Sequence, residues 1–144
     1  MIPIVLPIVK APGRRSYPPR VSVFTRTFWD GLAEGRWQST CCEDCGHQTF
    51  PPKPVCPNCW GGRVEWTSLS ARGTLYSWTR IHAAPTAFAG EAPYAVGIVD
   101  LDNGIRLACR LVDSTDLKPG MAVEMTVLQY EDGPLFAARP ISST

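Results

Sequence analysis

Over residues 105–111 the chain alternates, with Ile105, Leu107, Cys109 and Leu111 apolar and Arg106, Ala108 and Arg110 between them. A period of two sends successive side chains to opposite faces, so this stretch is predicted to be a half-buried strand with Cys109 on its apolar face. The run before it, YAVGIVDL, reaches it through Asp102-Asn103-Gly104. Asn-Gly between two such runs signals a hairpin, because a type I′ turn needs positive φ at two successive residues. Residues 74–81, TLYSWTRI, are rich in β-branched and aromatic side chains and read as a preceding strand. After the LKPGM turn, AVEMTVLQY reads as a fourth strand, and Asp132-Gly133 turns the chain into a short fifth, LFAA. The pattern breaks around residues 113–117, between the third and fourth strands. Five short strands with that interruption suit a small closed barrel of the OB type, with an SH3-like barrel or small sandwich as the alternative.

Upstream the period changes. In SVFTRTFWDGLAEG, Phe24, Phe28 and Leu32 recur at helical spacing, Ser22 or Thr25 can cap the start, and Gly35 suits the end. A helix of about ten residues is expected, with Trp29 beside its apolar stripe. Such a stripe packs on the protein's own body or on a partner, and its own body is favoured. Ahead of it, PGRRSYPPR is proline-rich, basic and extended, either an arm lying on another surface or a disordered tail. The expected organisation is therefore an N-terminal arm (residues 1–23), a helix plus cysteine-rich segment (24–69), and a barrel (70–144), mainly β overall.

The cysteine-rich segment carries the strongest chemical signal. Cys42-Glu-Asp-Cys45 and Cys56-Pro-Asn-Cys59 are two Cys-x-x-Cys pairs separated by ten residues. A two-residue spacer lets both thiolates of a tight turn face one ion, and two such turns supply the four soft ligands of a tetrahedral structural zinc site. A rubredoxin-like iron site is the other ion this set suits. Cys41 is a spare thiol, since it could replace Cys42 only through a three-residue spacer. His47 is a surface residue, because four thiolates already fill the coordination shell. Gly46 is placed to take positive φ after the first pair, whereas Trp60 follows the second pair, so the second turn is expected to be irregular. Four thiolates leave no open position for substrate, and such a site is architecture.

Composition then excludes several classes. The 144 residues carry 14 Lys and Arg against 13 Asp and Glu, a net charge of +1, without the basic excess typical of proteins that neutralise phosphates. The opening MIPIVLPIVK has no basic n-region or small-residue cleavage site, and two prolines break it. The expectation is a soluble cytoplasmic protein, in a compartment that keeps thiols reduced and disfavours a disulfide framework. No Ser/His/Asp arrangement or glycine-rich phosphate loop is visible. Cys109 activated by His82 would be the one nucleophile, but a free cysteine on an apolar strand face is more simply a small core residue.

In this order the parts resemble a known family. The segments FWDGLAEGRW, FPPKPVCPNC, RGTLYSWTRIH, APYAVGIVDLDNGIRLACRL, KPGMAVEM and GPLFAARP are similar to the zinc-ribbon/OB-fold family known as domain of unknown function thirty-five, over residues 24–140. The resemblance implies an N-terminal helix, a rubredoxin-like zinc ribbon and a five-stranded OB barrel, in an accessory subunit of thiolase-superfamily enzymes. Such subunits support assembly and help bind the coenzyme A thioester, while the catalytic residues belong to the partner, a thiolase, acyltransferase or aldolase. By motif, Cys42, Cys45, Cys56 and Cys59 match the family's metal ligands, and Lys53 matches a position that is often basic. Arg36, Lys53 and Arg63, near the ribbon, are candidates for the phosphates of coenzyme A. Phe28, Trp29, Trp37, Phe50 and Trp60 are candidate partner anchors, the alternative for each being packing within its own domain. Among rival functions, single-stranded nucleic-acid binding would use Tyr76 and Trp78, which alternation places on one face of the first barrel strand. The near-zero net charge opposes it.

Overall fold

The computed structural model describes residues 5–112 and 116–141. The expected break at residues 113–117 lies largely outside the described residues. Strand β1 (Ile8–Lys10) is followed by helix α1 (Arg26–Ala33), then by β2 (Gln38–Cys42), β3 (Gln48–Thr49) and β4 (Val64–Ser68), which form a three-stranded antiparallel sheet in the order β3-β2-β4. The remaining strands are β5 (Arg72–Ile81), β6 (Tyr94–Leu101), β7 (Arg106–Leu111), β8 (Ala122–Tyr130) and β9 (Gly133–Pro140). They pair in the order β8-β5-β6-β7-β9, and β9 pairs back onto β8, so five strands close a barrel of the OB type.

Local chemistry accounts for the helix. Ser22 and Thr25 close the turn ahead of it reciprocally: the Ser22 N–H donates to Thr25 Oγ1 (2.8 Å) and the Thr25 N–H to Ser22 Oγ (3.1 Å). Gly35, at φ +86°, ends it, with the Arg36 N–H reaching back to the Gly31 carbonyl (2.8 Å). A Cβ on Gly35 would lie 2.6 Å from Val5 Cγ1, because the Leu6 N–H donates to the Gly35 carbonyl (2.8 Å) there. The glycine that stops the helix also admits the N-terminal arm.

That arm is part of the barrel. β1 runs parallel to β8 with Ile8 opposite Val127, and Leu6 is buried in the core. The Pro7 carbonyl accepts from both the Val127 N–H and the buried Thr126 hydroxyl, each at 2.9 Å. Arg15 lies on Gly133, where any Cβ would collide with its guanidinium, and it bonds the carbonyls of Asp132 (2.8 Å) and Pro134 (3.2 Å). Ser16 donates to Glu91, which also pairs with Arg110 (3.0 Å). The sequence reading of an extended arm has no strand in it because three residues of parallel edge pairing leave no periodic signature.

These anchors titrate in acid. Burial raises the Glu91 carboxyl, but hydrogen bonds from Ser16 and Arg110 outweigh it and hold the group below its ordinary value, and the Arg15 N–H does the same for Asp132. A depressed carboxylate stabilises the fold above its unfolded value and loses that contribution as the pH falls through the folded one. Below about pH 4 the arm is therefore expected to release before the barrel unfolds. Protection of the Ala11 and Glu131 amides, which bond across this seam, measures it. Equal protection of these amides at pH 7 and at the lowest pH at which β6 and β8 stay protected, or an unchanged profile in Asp132→Asn, would refute the prediction.

One core unites the parts. Leu6, Phe28, Leu32 and Trp37 pack with Leu75, Val99, Leu107, Val123, Met125 and Val127 in a single cluster. The Trp37 indole N–H donates to the Ser70 carbonyl (3.0 Å) and bridges ribbon and barrel. Among the described residues no helix is long and apolar enough to cross a membrane.

Candidate metal centre and its surroundings

The two Cys-x-x-Cys turns have the same backbone. In the first, the Gly46 N–H donates to the Cys42 carbonyl (2.9 Å) and the Cys42 N–H to the His47 carbonyl (3.0 Å). In the second, the Trp60 N–H donates to the Cys56 carbonyl (2.8 Å) and the Cys56 N–H to the Gly61 carbonyl (2.9 Å). Gly46 has φ +77° and Trp60 has φ +65°. The expectation of an irregular second turn is thus corrected: the turn is regular, and Trp60 adopts the left-handed conformation that Gly46 adopts in the first. For a tryptophan this conformation is strained by about 1–2 kcal/mol.

The turns bring the sulfurs of Cys42, Cys45, Cys56 and Cys59 within 4.8 Å of one another, with Cys42–Cys59 at 3.5 Å and Cys45–Cys56 at 3.6 Å. Sulfurs bound tetrahedrally at about 2.3 Å from one ion stand about 3.8 Å apart, so the set fits a four-thiolate centre. Backbone N–H groups of Cys45 and Asn58 point at the sulfurs of Cys42 (3.5 Å) and Cys56 (3.4 Å), as thiolates require. The Asn58 amide, ahead of the His47 N–H, draws the Cys45 thiol down to about 6. Cys59, although the Gly61 N–H bonds it, is pushed up to about 12 by hydrogen bonding with Cys42 and Cys45. Cys45 and Cys59 are thus drawn in opposite directions, and a divalent cation bound by the cluster would favour the thiolate form and release protons.

Cys41 does not join them. It sits on β2 between Gln48 of β3 and Glu65 of β4, its neighbour Cys42 pointing to the other face, and its thiol faces the Gly46 carbonyl (3.5 Å). His47 is exposed outside the cluster.

The five aromatic candidates separate into two groups. Phe28 and Trp37 are 2 % and 3 % exposed. In this fold they are core residues, matching the alternative of packing within their own domain rather than a role as partner anchors, and Phe28 sets the helix stripe on the protein's own body. Trp29 and Phe50 are half-buried on the edge of the same cluster. Trp60, at the tip of the ribbon, is 80 % exposed, with Val55 also exposed in the same ribbon.

The three basic candidates are all exposed and stand apart in their contacts. Arg36 pairs with Glu34 (2.9 Å), and Arg63 pairs with Asp44, whose carboxyl it holds below the ordinary range. Lys53 has no ion pair among the described residues, and its backbone N–H donates to Thr40 Oγ1 (3.1 Å).

A groove that the sequence did not disclose lies between α1, the loop after β3 and the barrel. It has a volume of about 520 Å³, with Phe28, Trp29, Phe50 and Phe136 among its lining and Arg20 and Arg106 on it as well. The four rings touch, with Phe28–Phe136 at 6.1 Å and Phe50–Phe136 at 5.5 Å between centroids. In the sequence Phe136 belongs to a short final strand, and nothing local links it to the helix.

Two further expectations can be placed. Cys109 is buried, burial pushes its thiol up to about 12, and His82 lies exposed beyond the end of β5, so Cys109 is a core residue. Tyr76 and Trp78 do not share a face. A bulge shifts the β5–β6 register between Leu75 and Ser77, which aligns Trp78 with Gly97, a position whose Cβ would point at Leu75 and Leu111 in the interior. Tyr76 stands outside with the Arg106 guanidinium 3.8 Å from its ring centre. The stacking pair implied by strict alternation is not assembled.

Residues 29–65 match a family model described as the rubredoxin-like zinc ribbon domain of ChsH2, and residues 66–128 match the C-terminal OB-fold domain of ChsH2. The chain is 35 % identical over 96 residues to a DUF35 domain-containing scaffold protein of Methanocaldococcus jannaschii, covering 64 % of this chain and 68 % of the relative. It is 33 % identical over 100 residues to the benzoylsuccinyl-CoA thiolase subunit BbsA of Thauera aromatica, covering 65 % of each. Among solved structures it resembles a chain of the Ltp2-ChsH2(DUF35) aldolase with a TM-score of 0.75 and 28 % identity, over 85 % of this chain and 98 % of that one.

Proposed function

The chain belongs to the DUF35 family of zinc-ribbon and OB-fold proteins, and from that premise we propose that it is a non-catalytic subunit of a thiolase-superfamily complex acting on acyl-CoA. It supports assembly of that complex and binding of the coenzyme A thioester. The observation that carries this reading is its likeness, at a TM-score of 0.75, to nearly the whole of a chain in an aldolase whose name joins Ltp2 to a DUF35 protein. The chemistry of the chain agrees. Its four clustered thiols are placed to serve together as ligands, and its remaining buried thiol, Cys109, is held protonated.

In this reading Cys42, Cys45, Cys56 and Cys59 hold one structural zinc ion, which supplies folding energy to the ribbon. Trp60, Trp29 and Phe50 meet the partner, since these aromatics reach the surface. Of the basic candidates, Lys53 is free to meet a coenzyme A phosphate, whereas Arg36 and Arg63 must first leave Glu34 and Asp44.

Size-exclusion chromatography with a thiolase-like protein encoded beside this chain tests the proposal. The expected result is co-elution at micromolar concentration, with carbon–carbon bond cleavage or formation next to a thioester only in the mixture. Separate elution together with full activity of the thiolase-like protein alone would overturn it.

A further inference from the structure

The barrel closes incompletely. β7 pairs with β6 along its whole length, from Asp100 opposite Arg106 to Ala95 opposite Leu111, but it meets β9 only at Arg110–Ala137 and Leu111–Ala138. The hydrogen bonds fix which main-chain groups face which neighbour. The Leu101 N–H donates to the Ile105 carbonyl (2.8 Å) on the β6 side, and the Val112 N–H donates to the Ala138 carbonyl (2.9 Å) on the β9 side. In an antiparallel ladder these directions alternate. Odd-numbered residues of β7 therefore bond β6, and the N–H and C=O groups of Arg106 and Ala108 face β9, which has already diverged. Among the described residues the register gives neither of them a strand partner on that side.

This open edge borders the aromatic groove, whose lining includes Arg106, Leu107 and Ala108 together with Phe28, Trp29 and Phe136. Two residues with free main-chain donors and acceptors, about 7 Å apart, are the template for a strand. The wall of rings beside them takes the alternate apolar side chains of such a strand. Arg20, also on the groove, has no ion pair among the described residues, whereas Arg106 is neutralised by Asp100. The occupant accordingly brings a carboxylate to Arg20.

We propose that the open edge of β7 at Arg106 and Ala108, with the aromatic groove beside it, receives an extended, apolar segment of the thiolase-like partner subunit by strand addition, with an acidic residue of that segment paired to Arg20. The proposal rests on the accessory-subunit reading and adds the site and mode of attachment. Small ligands can fill such a groove, but the repeat of Arg106 and Ala108 matches a peptide backbone, which satisfies all four main-chain groups at once.

Ala108→Pro tests it directly. The substitution removes only the N–H that faces away from β6, a position where a sheet tolerates proline. With zinc content and melting temperature retained, it is expected to weaken binding of the partner at least tenfold, and Arg20→Glu is expected to weaken it severalfold. Hydrogen exchange of the wild-type complex should show new protection at the Arg106 and Ala108 amides, a readout that stands even if the proline variant misfolds. Unchanged partner affinity in a folded Ala108→Pro protein, or no new protection at these amides, would overturn the strand-addition proposal while leaving the accessory reading intact. So would a proline variant that binds the partner normally but raises KM for acetyl-CoA, since the groove would then be a thioester site. Failure of the wild-type chain to bind the partner at all would overturn both.

Discussion

Cys56→Ser is expected to empty the metal centre and unfold the ribbon while leaving strands β5–β9 paired. Cys56 is buried, its sulfur 3.6 Å from that of Cys45, and a neutral serine hydroxyl cannot replace a thiolate on a soft ion. The ribbon has little else to hold it. From β2 to β4 the buried side chains other than the ligands are Ser39, Thr40, Thr49 and Pro52, which contribute scant apolar area, while Trp37 just ahead of β2 ties that end of the ribbon to the barrel core. Structural zinc sites in small fingers contribute about 10–16 kcal/mol at neutral pH, far more than such a segment supplies by packing. Elemental analysis should fall from about one metal ion per chain to none, and amide protection should vanish across β2–β4 but persist in β6 and β8. Cys41→Ser is the contrasting variant and should keep its metal, because Cys41 lies on the opposite face of β2 from Cys42. A metal-loaded Cys56→Ser protein, or a metal-free Cys41→Ser protein, would show that the ligand set is wrong.

Trp37→Ala and Trp60→Gly are expected to act in opposite directions on stability. Trp37 is buried between ribbon and barrel, and truncation both opens a cavity and leaves the Ser70 carbonyl without its donor. A loss of about 3–5 kcal/mol follows, enough to unfold many domains of this size. Trp60 is 80 % exposed and held at φ +65°. Glycine takes that conformation freely, so Trp60→Gly should raise ribbon stability by about 0.5–1 kcal/mol, after the added freedom of the unfolded chain is deducted. In the proposed function, a partner that buries this strained, solvent-facing tryptophan accounts for its presence. Removing it should weaken the complex by about 2 kcal/mol, roughly thirtyfold. Chemical denaturation and calorimetric titration with the partner measure the two quantities separately. Unchanged affinity in Trp60→Gly would remove the ribbon tip from the interface, and a stable Trp37→Ala protein would contradict the shared core.

Several features of this protein follow from rules that act within a few residues, and these were legible without coordinates. The four clustered cysteines are among them: two residues between cysteines set where both sulfurs point, wherever the turn sits in the fold. So are the positive φ of Gly46 and Gly35, the end of α1, and the burial of Cys109 on an alternating strand, since each depends on backbone sterics or a period of two. The second knuckle shows the boundary of such rules. Tryptophan disfavours positive φ, yet four sulfurs converging on one point require the second turn to copy the first, and that demand overrides the local preference of Trp60. The remaining features depend on residues distant in sequence. One bulge in β5 reverses the facing of Trp78 relative to Tyr76. The arm becomes a strand because β8 has a free edge, and its anchors lie on Asp132 and Glu91. Phe28 and Trp37 are core residues because β9 brings Phe136 against them, and the groove exists because β7 and β9 part after two residue pairs. Spacing along the chain determined which side chains can share an ion or a strand face, whereas only the packing of distant elements decided which aromatic rings are buried and which edge stays open.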